Sequence, residues 1–108
     1  MMSEQLDARL MLKQAGVKER MLAFELSTLE DNFYKVIREF LLTLSGEDRV
    51  TMEGLYNSLV MARKSKIVRL AESLNEDPTI LAKMTTEDKE YFDAIVSATM
   101  HFSKGVLL

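Results

Sequence analysis

The chain has 108 residues, the length of one ordinary domain, of which 47% are hydrophobic and 29% charged. It has no cysteine and one histidine, which excludes disulfides, thiolate metal sites, a cysteine nucleophile and a histidine cluster. The net charge of −3 argues against a globally basic nucleic-acid-binding protein but leaves room for a local basic patch.

Local signals in chain order divide the sequence into helices. The segment from Leu6 to Leu26 predicts one long helix, bent or weakened near Gly16. A capping-box pattern at Ser27–Glu30 predicts the start of the second helix. At Ser45-Gly46, a left-handed glycine is predicted to close that helix.

Three further signals mark the second half of the chain. Asp77 before Pro78 predicts an N-cap followed by proline in the first turn of a short helix, which continues through Thr79–Lys83. A second capping box, at Thr85–Asp88, predicts the start of the last helix, and Gly105 predicts its end. The tail that follows, Val106–Leu108, is apolar. We expect it either to lead into a further segment or to fold back on the bundle.

Between these signals, apolar residues recur at helical spacing and no strand-like alternation is present. The predicted buried stripes comprise Phe33, Val36, Ile37, Phe40, Leu41 and Leu44; Met52, Leu55, Tyr56, Leu59, Ile67, Leu70, Ala71 and Leu74; and Tyr91, Ile95, Ala98 and Phe102, with Phe92 and Thr99 alongside. The prediction is an all-α fold, a helical bundle of four main helices plus one short helix, that forms a single domain over residues 1–108.

The segment Arg63–Ala71 carries four basic residues and no acidic one. Arg63 and Lys66 fall on or beside the stripe that should be buried, where an unpaired charge is costly. Arg63 could pair with a carboxylate on a neighbouring helix while Lys66 reaches outward to water. Both could instead make polar contacts across a subunit interface. In a third hypothesis, Arg63, Lys64, Lys66 and Arg69 contact nucleic-acid phosphates.

The third helix is apolar on more than one side, because Val60, Met61 and Val68 lie away from its main stripe. A helix of this kind is either central in its own domain or covered by a partner. The sequence therefore predicts a subunit interface that includes Val60, Met61, Arg63, Lys66 and Val68.

No catalytic constellation is evident, and we expect neither an enzyme nor a bound cofactor or metal. His101 has no second ligand candidate near it in the sequence. The acidic pairs Glu47-Asp48, Glu76-Asp77 and Glu87-Asp88 all fall at predicted helix starts, where negative charge complements the helix dipole.

Three segments resemble motifs of GINS subunits in the same order and spacing, over roughly residues 22–102. Leu26–Tyr34 resembles the family's L-x-x-L-x-x-D-F-Y start of the second helix, with Asn32 as a one-residue departure. Arg63–Ala71 resembles its R-x-x-K-I-v-x-L-A segment, and Leu81–Phe92 resembles the start of its last helix, L-x-x-[LM]-T-x-E-E-x-x-[LY]-[YF]. The likeness is to archaeal GINS proteins in which the helical domain comes first.

This resemblance implies a non-catalytic DNA replication factor in the cytoplasm, associated with the nucleoid. A GINS subunit is a scaffold of a tetramer, here expected to be a homotetramer, that activates the MCM helicase. A DHH-family RecJ-like protein, primase and polymerase are the other implied partners. The resemblance also implies a small β domain after residue 108, absent from this member or truncated. The alternative function is a helical DNA-binding or adaptor protein that acts through Arg63–Arg69.

Overall fold

The computed structural model describes residues 2–107, with side chains from residue 7 onward, and every regular element in this range is a helix. The predicted all-α fold class is confirmed. The elements are α1 (Met2–Met21), α2 (Phe33–Leu42), α3 (Gly46–Glu72), the short α4 (Pro78–Leu81) and α5 (Thr86–Val106). None of the helices described in residues 2–107 has the length and apolar character needed to cross a bilayer.

Helix α3 is the axis on which the other long helices pack. Helix α1 runs parallel to it, because Arg9 bonds Asp48 near the start of α3 while Glu19 bonds Arg63 further along. Helix α5 is also parallel to α3, with Asp88 beside Arg63. The resulting molecule is elongated, with extents of 58 × 25 × 21 Å.

Two apolar clusters fill the interior, one on each side of Arg63 along α3. The first lies among α1, α2 and the first half of α3, and includes Leu12, Ile37 and Leu59. The second lies between α5 and the last turns of α3, and includes Ile67 and Phe92. Because Leu59, Arg63 and Ile67 are spaced four apart, the arginine occupies the same buried stripe as its apolar neighbours.

The caps in the second half of the chain are confirmed. The Asp77 side chain accepts a hydrogen bond from the Thr79 amide at 2.9 Å, with Pro78 in the first turn of α4. At the start of α5, Thr85 and Asp88 form the predicted capping box. These signals succeed because each bond joins residues two or three apart, within reach of local sequence.

Signals in the first half of the chain are partly wrong. Helix α1 ends at Met21, not Leu26, and continues through Gly16. The Ser27–Glu30 segment is not a cap, because α2 begins at Phe33 and the Ser27 side chain instead bonds Glu19. Gly46 has the predicted left-handed conformation, with φ of +61°, but it opens α3, and three residues separate it from the end of α2 at Leu42.

The predicted stripe on α5 is displaced. Tyr91, Ala98 and Phe102 are exposed, Ile95 is half-buried, and the buried line runs through Phe92, which was expected beside the stripe, together with Asp88 and Val96. The helix is rotated this way because Asp88 must reach Arg63. Helix α5 also continues through Gly105, the predicted stop, to Val106.

Helix α5 extends beyond the end of α3. With Asp88 beside Arg63, Phe92 and Val96 fall level with Ile67 and Ala71, and α3 stops one residue later. The apolar side chains of this projecting part are exposed: Met100, Phe102, Val106 and Leu107. Val106 and Leu107 therefore do not fold back on the bundle, and Leu108 lies outside the described residues.

Candidate functional site

The most distinctive local structure is a buried ion network centred on Arg63, whose side chain is 1% exposed. One guanidinium nitrogen, Nη1, donates to Glu19 Oε1 of α1 at 2.7 Å. The other, Nη2, donates to Asp88 Oδ2 of α5. The arginine of α3 thus joins two helices that come from opposite ends of the chain.

The remaining donors of Arg63 are also used. Nη1 donates to the Ser27 carbonyl at 2.7 Å, Nη2 to the Lys83 carbonyl at 3.3 Å, and Nε to the Tyr34 hydroxyl at 3.2 Å. The two carbonyls belong to the connections before α2 and before α5. A single side chain therefore ties α1, α2, α5 and two loops to α3.

Glu19 is the acceptor on α1 and is only 1% exposed. It accepts from Ser27 Oγ at 2.7 Å and from Lys66 Nζ at 2.6 Å, in addition to Arg63. Burial alone would raise the pKa of the Glu19 carboxyl, but the hydrogen bonds from Lys66, Ser27 and Arg63 outweigh it and lower that pKa below its ordinary value. The carboxylate is therefore held in its charged form.

Lys66 closes the carboxyl end of α1. Besides Glu19 Oε2, its ammonium donates to the backbone carbonyls of Glu19 at 2.8 Å and of Leu22 at 2.6 Å. The last carbonyls of a helix have no partner within the helix, and a lysine is a favourable partner for them. This bond set accounts for the position of a cation at the boundary of the core.

Asp88 connects the network to the start of α5. Its carboxylate accepts from the Tyr34 hydroxyl at 2.6 Å and from the Thr85 amide at 3.1 Å, as well as from Arg63. Burial and the charge of Asp88 raise the pKa of the Tyr34 hydroxyl, which therefore stays protonated and acts as a donor.

The network balances its charges and leaves none of its buried polar atoms without a hydrogen-bond partner. Two cations, Arg63 and Lys66, face two anions, Glu19 and Asp88. Among the described residues, every buried side-chain nitrogen or oxygen atom has a hydrogen-bond partner. Such a network holds helices in register and has no unused group with which to bind a ligand.

The residues predicted to form a site do not lie on one surface. Arg63 and Lys66 point into the interior, where their charges are paired with Glu19 and Asp88. The interface and nucleic-acid hypotheses therefore depend on the other predicted site residues. Lys64 and Arg69 are exposed, and Arg69 stacks over the Phe24 ring at 5.2 Å. These two are about 140° apart around α3, because successive helical residues turn by about 100°.

The apolar interface candidates also differ among themselves. Met61 is 57% exposed and Val68 is half-buried, whereas Val60 lines a cleft between helices. Met61 and Val68 belong to an outward line of uncharged side chains on α3, which we call the outer face: Val50, Gly54, Ser58, Met61, Ser65 and Val68.

The carboxylates of the network were missed by reasoning from the sequence. Asp88 is predicted only as part of the capping box and as a partner of the α5 dipole, and Glu19 is not singled out. A usable signal existed, because Glu19 follows Ala15 and Leu12 at i+4 and i+7, which puts a carboxylate on the buried side of α1. An acidic and a basic residue that both lie on buried apolar stripes are candidates to form an ion pair.

The second notable feature is the cleft that Val60 lines, which lies between α2, α3 and α5 and has a volume of about 320 Å³. All three tyrosines of the chain, Tyr34, Tyr56 and Tyr91, line it. We call it the tyrosine cleft. The Tyr34 and Tyr56 rings meet edge to face, with centroids 6.4 Å apart.

Within the described part of the chain, no group of three or more histidine, cysteine or acidic side chains is arranged to hold a metal ion. No protein-family model, curated protein or solved structure matches the chain.

Proposed function

We propose that the chain is a non-catalytic scaffold subunit of the GINS type, which assembles into a tetramer and acts with the MCM helicase in DNA replication. One observation carries the proposal: the three segments that resemble GINS motifs meet at the Arg63 network. Tyr34 and Ser27 come from the first segment, Arg63 and Lys66 from the second, and Asp88 from the third.

This convergence gives the motifs a shared physical reason. Three short segments, far apart in sequence, are each constrained by the same charge balance. Loss of the second or third segment would leave a buried charge unpaired, and loss of the first would remove the hydrogen bonds that Tyr34 and Ser27 form with those charges. The motifs therefore support a common helical framework more strongly together than separately.

The surface of α3 supports assembly as the role of that framework. The outer face has no charged side chain from Val50 to Val68, and glycine and serine occupy three of its positions. Small uncharged residues allow a second helix to approach closely without burying an unpaired charge. We expect this face to take part in the subunit contact.

The first test is the mass of the chain in solution by light scattering over a concentration series. A stable mass near four times 12.4 kDa is expected. Met61→Glu should give smaller species, because it buries a charge at the contact, whereas Met21→Glu should leave the mass unchanged. A wild-type monomer at all concentrations would contradict the tetramer.

The second test addresses replication directly. Added to a purified archaeal MCM helicase, the chain should co-elute with it and accelerate unwinding of a forked DNA. Met61→Glu should lose the acceleration together with the tetramer. If the chain instead binds DNA alone, with affinity that falls steeply with salt and depends on Lys64 and Arg69, the alternative DNA-binding function is correct.

A further inference from the structure

The tyrosine cleft combines an aromatic lining with charged residues at its edge. Ile67 is buried there, Tyr56 and Val60 are half-buried, and Tyr91 is 37% exposed. The Tyr34 hydroxyl is engaged by Asp88 and Arg63, so this tyrosine has mainly ring surface to offer. The lining is therefore suited to an apolar side chain.

The edge of the cleft has an excess of positive charge. Arg38 of α2, Lys64 of α3 and Glu87 of α5 line it and are exposed, whereas the fourth charged lining residue, Asp88, is buried and paired with Arg63. Burial raises the pKa of the Tyr56 hydroxyl, and the charges of Arg38 and Glu87 act on that hydroxyl in opposite directions. Two cations and one anion thus surround the opening, on a chain whose net charge is −3.

We propose that the tyrosine cleft binds a short acidic peptide segment of a partner protein, which inserts one large apolar side chain between the tyrosines. A volume of about 320 Å³ accommodates one such side chain and its neighbouring backbone. Tyrosine rings provide rigid contact area, and Arg38 and Lys64 can receive acidic residues on either side of the inserted one.

The charge pattern favours a peptide over single-stranded nucleic acid. Nucleic acid would bring a phosphate at every nucleotide, and Glu87 would repel those that pass its side of the cleft. A peptide can place its acidic residues next to Arg38 and Lys64 only.

The cleft is separate from the surface assigned to assembly. Each residue adds about 100° around α3, so Tyr56 and Val60 lie about 140° and 100° from Met61, and Lys64, at the edge of the cleft, about 60° from it. A subunit in a tetramer could therefore hold a peptide in the cleft. The proposal does not depend on the GINS-type function, and its test uses binding rather than assembly or unwinding.

The experiment is a nuclear magnetic resonance titration of the ¹⁵N-labelled full chain with three nine-residue peptides. The first has phenylalanine at its centre and glutamate and aspartate on both sides. In the second the phenylalanine is replaced by alanine, and in the third the acidic residues are replaced by lysine. We expect the first peptide to shift the signals of Tyr56, Val60 and Tyr91, with the other two at least about fivefold weaker.

Protein variants test the same contacts from the other side. Arg38→Glu combined with Lys64→Glu should weaken the first peptide by about tenfold, because attraction becomes repulsion. Tyr91→Ala should weaken it by removing part of the aromatic wall. Lys104→Glu, a charge reversal on the last turn of α5, serves as the matched control and should leave the affinity unchanged. All substituted side chains are exposed, and thermal unfolding checks that each variant folds.

Several results would overturn the proposal. Equal affinity for the lysine-flanked peptide would show that charge does not contribute to binding. Signal shifts spread over the whole chain would show that the peptide does not bind at the cleft. The absence of shifts at millimolar peptide would exclude the cleft as a peptide site. Tighter binding of a ten-residue oligothymidylate at the same signals would identify a nucleic-acid site instead.

Discussion

The inner and outer sides of α3 between residues 60 and 69 use the same residue type in opposite ways. On the inner side, Arg63 and Lys66 are engaged by carboxylates and backbone carbonyls. On the solvent-exposed side, Lys64 and Arg69 lie to either side of the uncharged outer face and point in different directions. A run of basic residues therefore need not form a basic patch, because the acids on facing helices determine which of them reach solvent.

The comparison also separates stability from specificity. A buried ion pair often adds little net stability over apolar side chains of similar volume, but the loss of one partner is severe. With two cations and two anions matched in one place, sliding one of the helices α1, α3 and α5 along the others would leave charges unpaired. We infer that the network fixes the register of these helices, while the two apolar clusters supply most of the driving force.

The largest effect is expected for Arg63→Ala, which should lower the free energy of unfolding by about 3–5 kcal/mol, since two carboxylates lose their buried partner. Lys64→Ala, one residue away on the exposed side, should change it by less than about 0.5 kcal/mol. Urea unfolding followed by circular dichroism measures both. Equal changes in the free energy of unfolding would show that the buried and exposed basic residues of α3 contribute alike.

Glu19→Gln should have the next largest effect and lower the free energy of unfolding by about 2–4 kcal/mol at neutral pH, because Arg63 and Lys66 both lose the Glu19 carboxylate. Since folding lowers the pKa of Glu19, its contribution is present above the ordinary value of 4.5 and is lost as the pH falls through the lower, folded value. The variant should therefore show a shallower loss of stability below pH 4.5 than the wild type. An equally steep loss of stability below pH 4.5 in both proteins would contradict this role. Glu25→Gln, at an exposed position, is the control.

Lys66→Met should cost about 1–2 kcal/mol, because the Glu19 carboxylate keeps Arg63 but loses its second cation, and the carbonyls of Glu19 and Leu22 lose a charged donor, while the methionine keeps the apolar stem. The loss should appear first as faster amide hydrogen exchange in the last turn of α1. Lys64→Met provides the matched control. Exchange that speeds up uniformly over α1, α3 and α5 would mean that Lys66 acts on global stability alone.

The smallest effect is expected for Arg69→Ala. Its contact over the Phe24 ring is exposed, and such cation–π contacts contribute about 0.5–1 kcal/mol. A double-mutant cycle with Phe24→Ala isolates the contact. A coupling energy above about 2 kcal/mol would mean that the outer side also holds structure together.

The sequence was most informative where the determining contacts are local. The caps at Asp77 and Thr85 and the all-α class follow from spacings of two to four residues. Arg63 was recognised as a buried charge that needs a carboxylate, but its partners were not, because they lie 44 and 25 residues away. The local sequence pattern shows which side of a helix is buried, but not which side of another helix it packs against.

The same limit explains the errors in the first half of the chain. Ser27 has the right neighbours for a helix cap, and local rules assign it to one. In the fold, the Glu19 carboxylate, already surrounded by two cations, is the better acceptor for the Ser27 hydroxyl. The competing tertiary contact prevails, and α2 begins six residues later. Likewise, the predicted stripe of α5 followed its apolar residues, whereas Asp88 determined which side faces inward.

The projecting end of α5 has a consequence for the time scale of motion along the helix. Residues 98–106 extend about 14 Å past the end of α3, so their backbone hydrogen bonds have no neighbouring helix to shield them from water. In the isolated chain, these amide protons should exchange with solvent through local fraying, whereas those beside Arg63 should exchange only when the whole chain unfolds. Amide exchange in the last turns of α5 therefore reports on binding at this end of the helix. A molecule that covers Phe102 and Val106 will slow exchange there without slowing it beside Arg63.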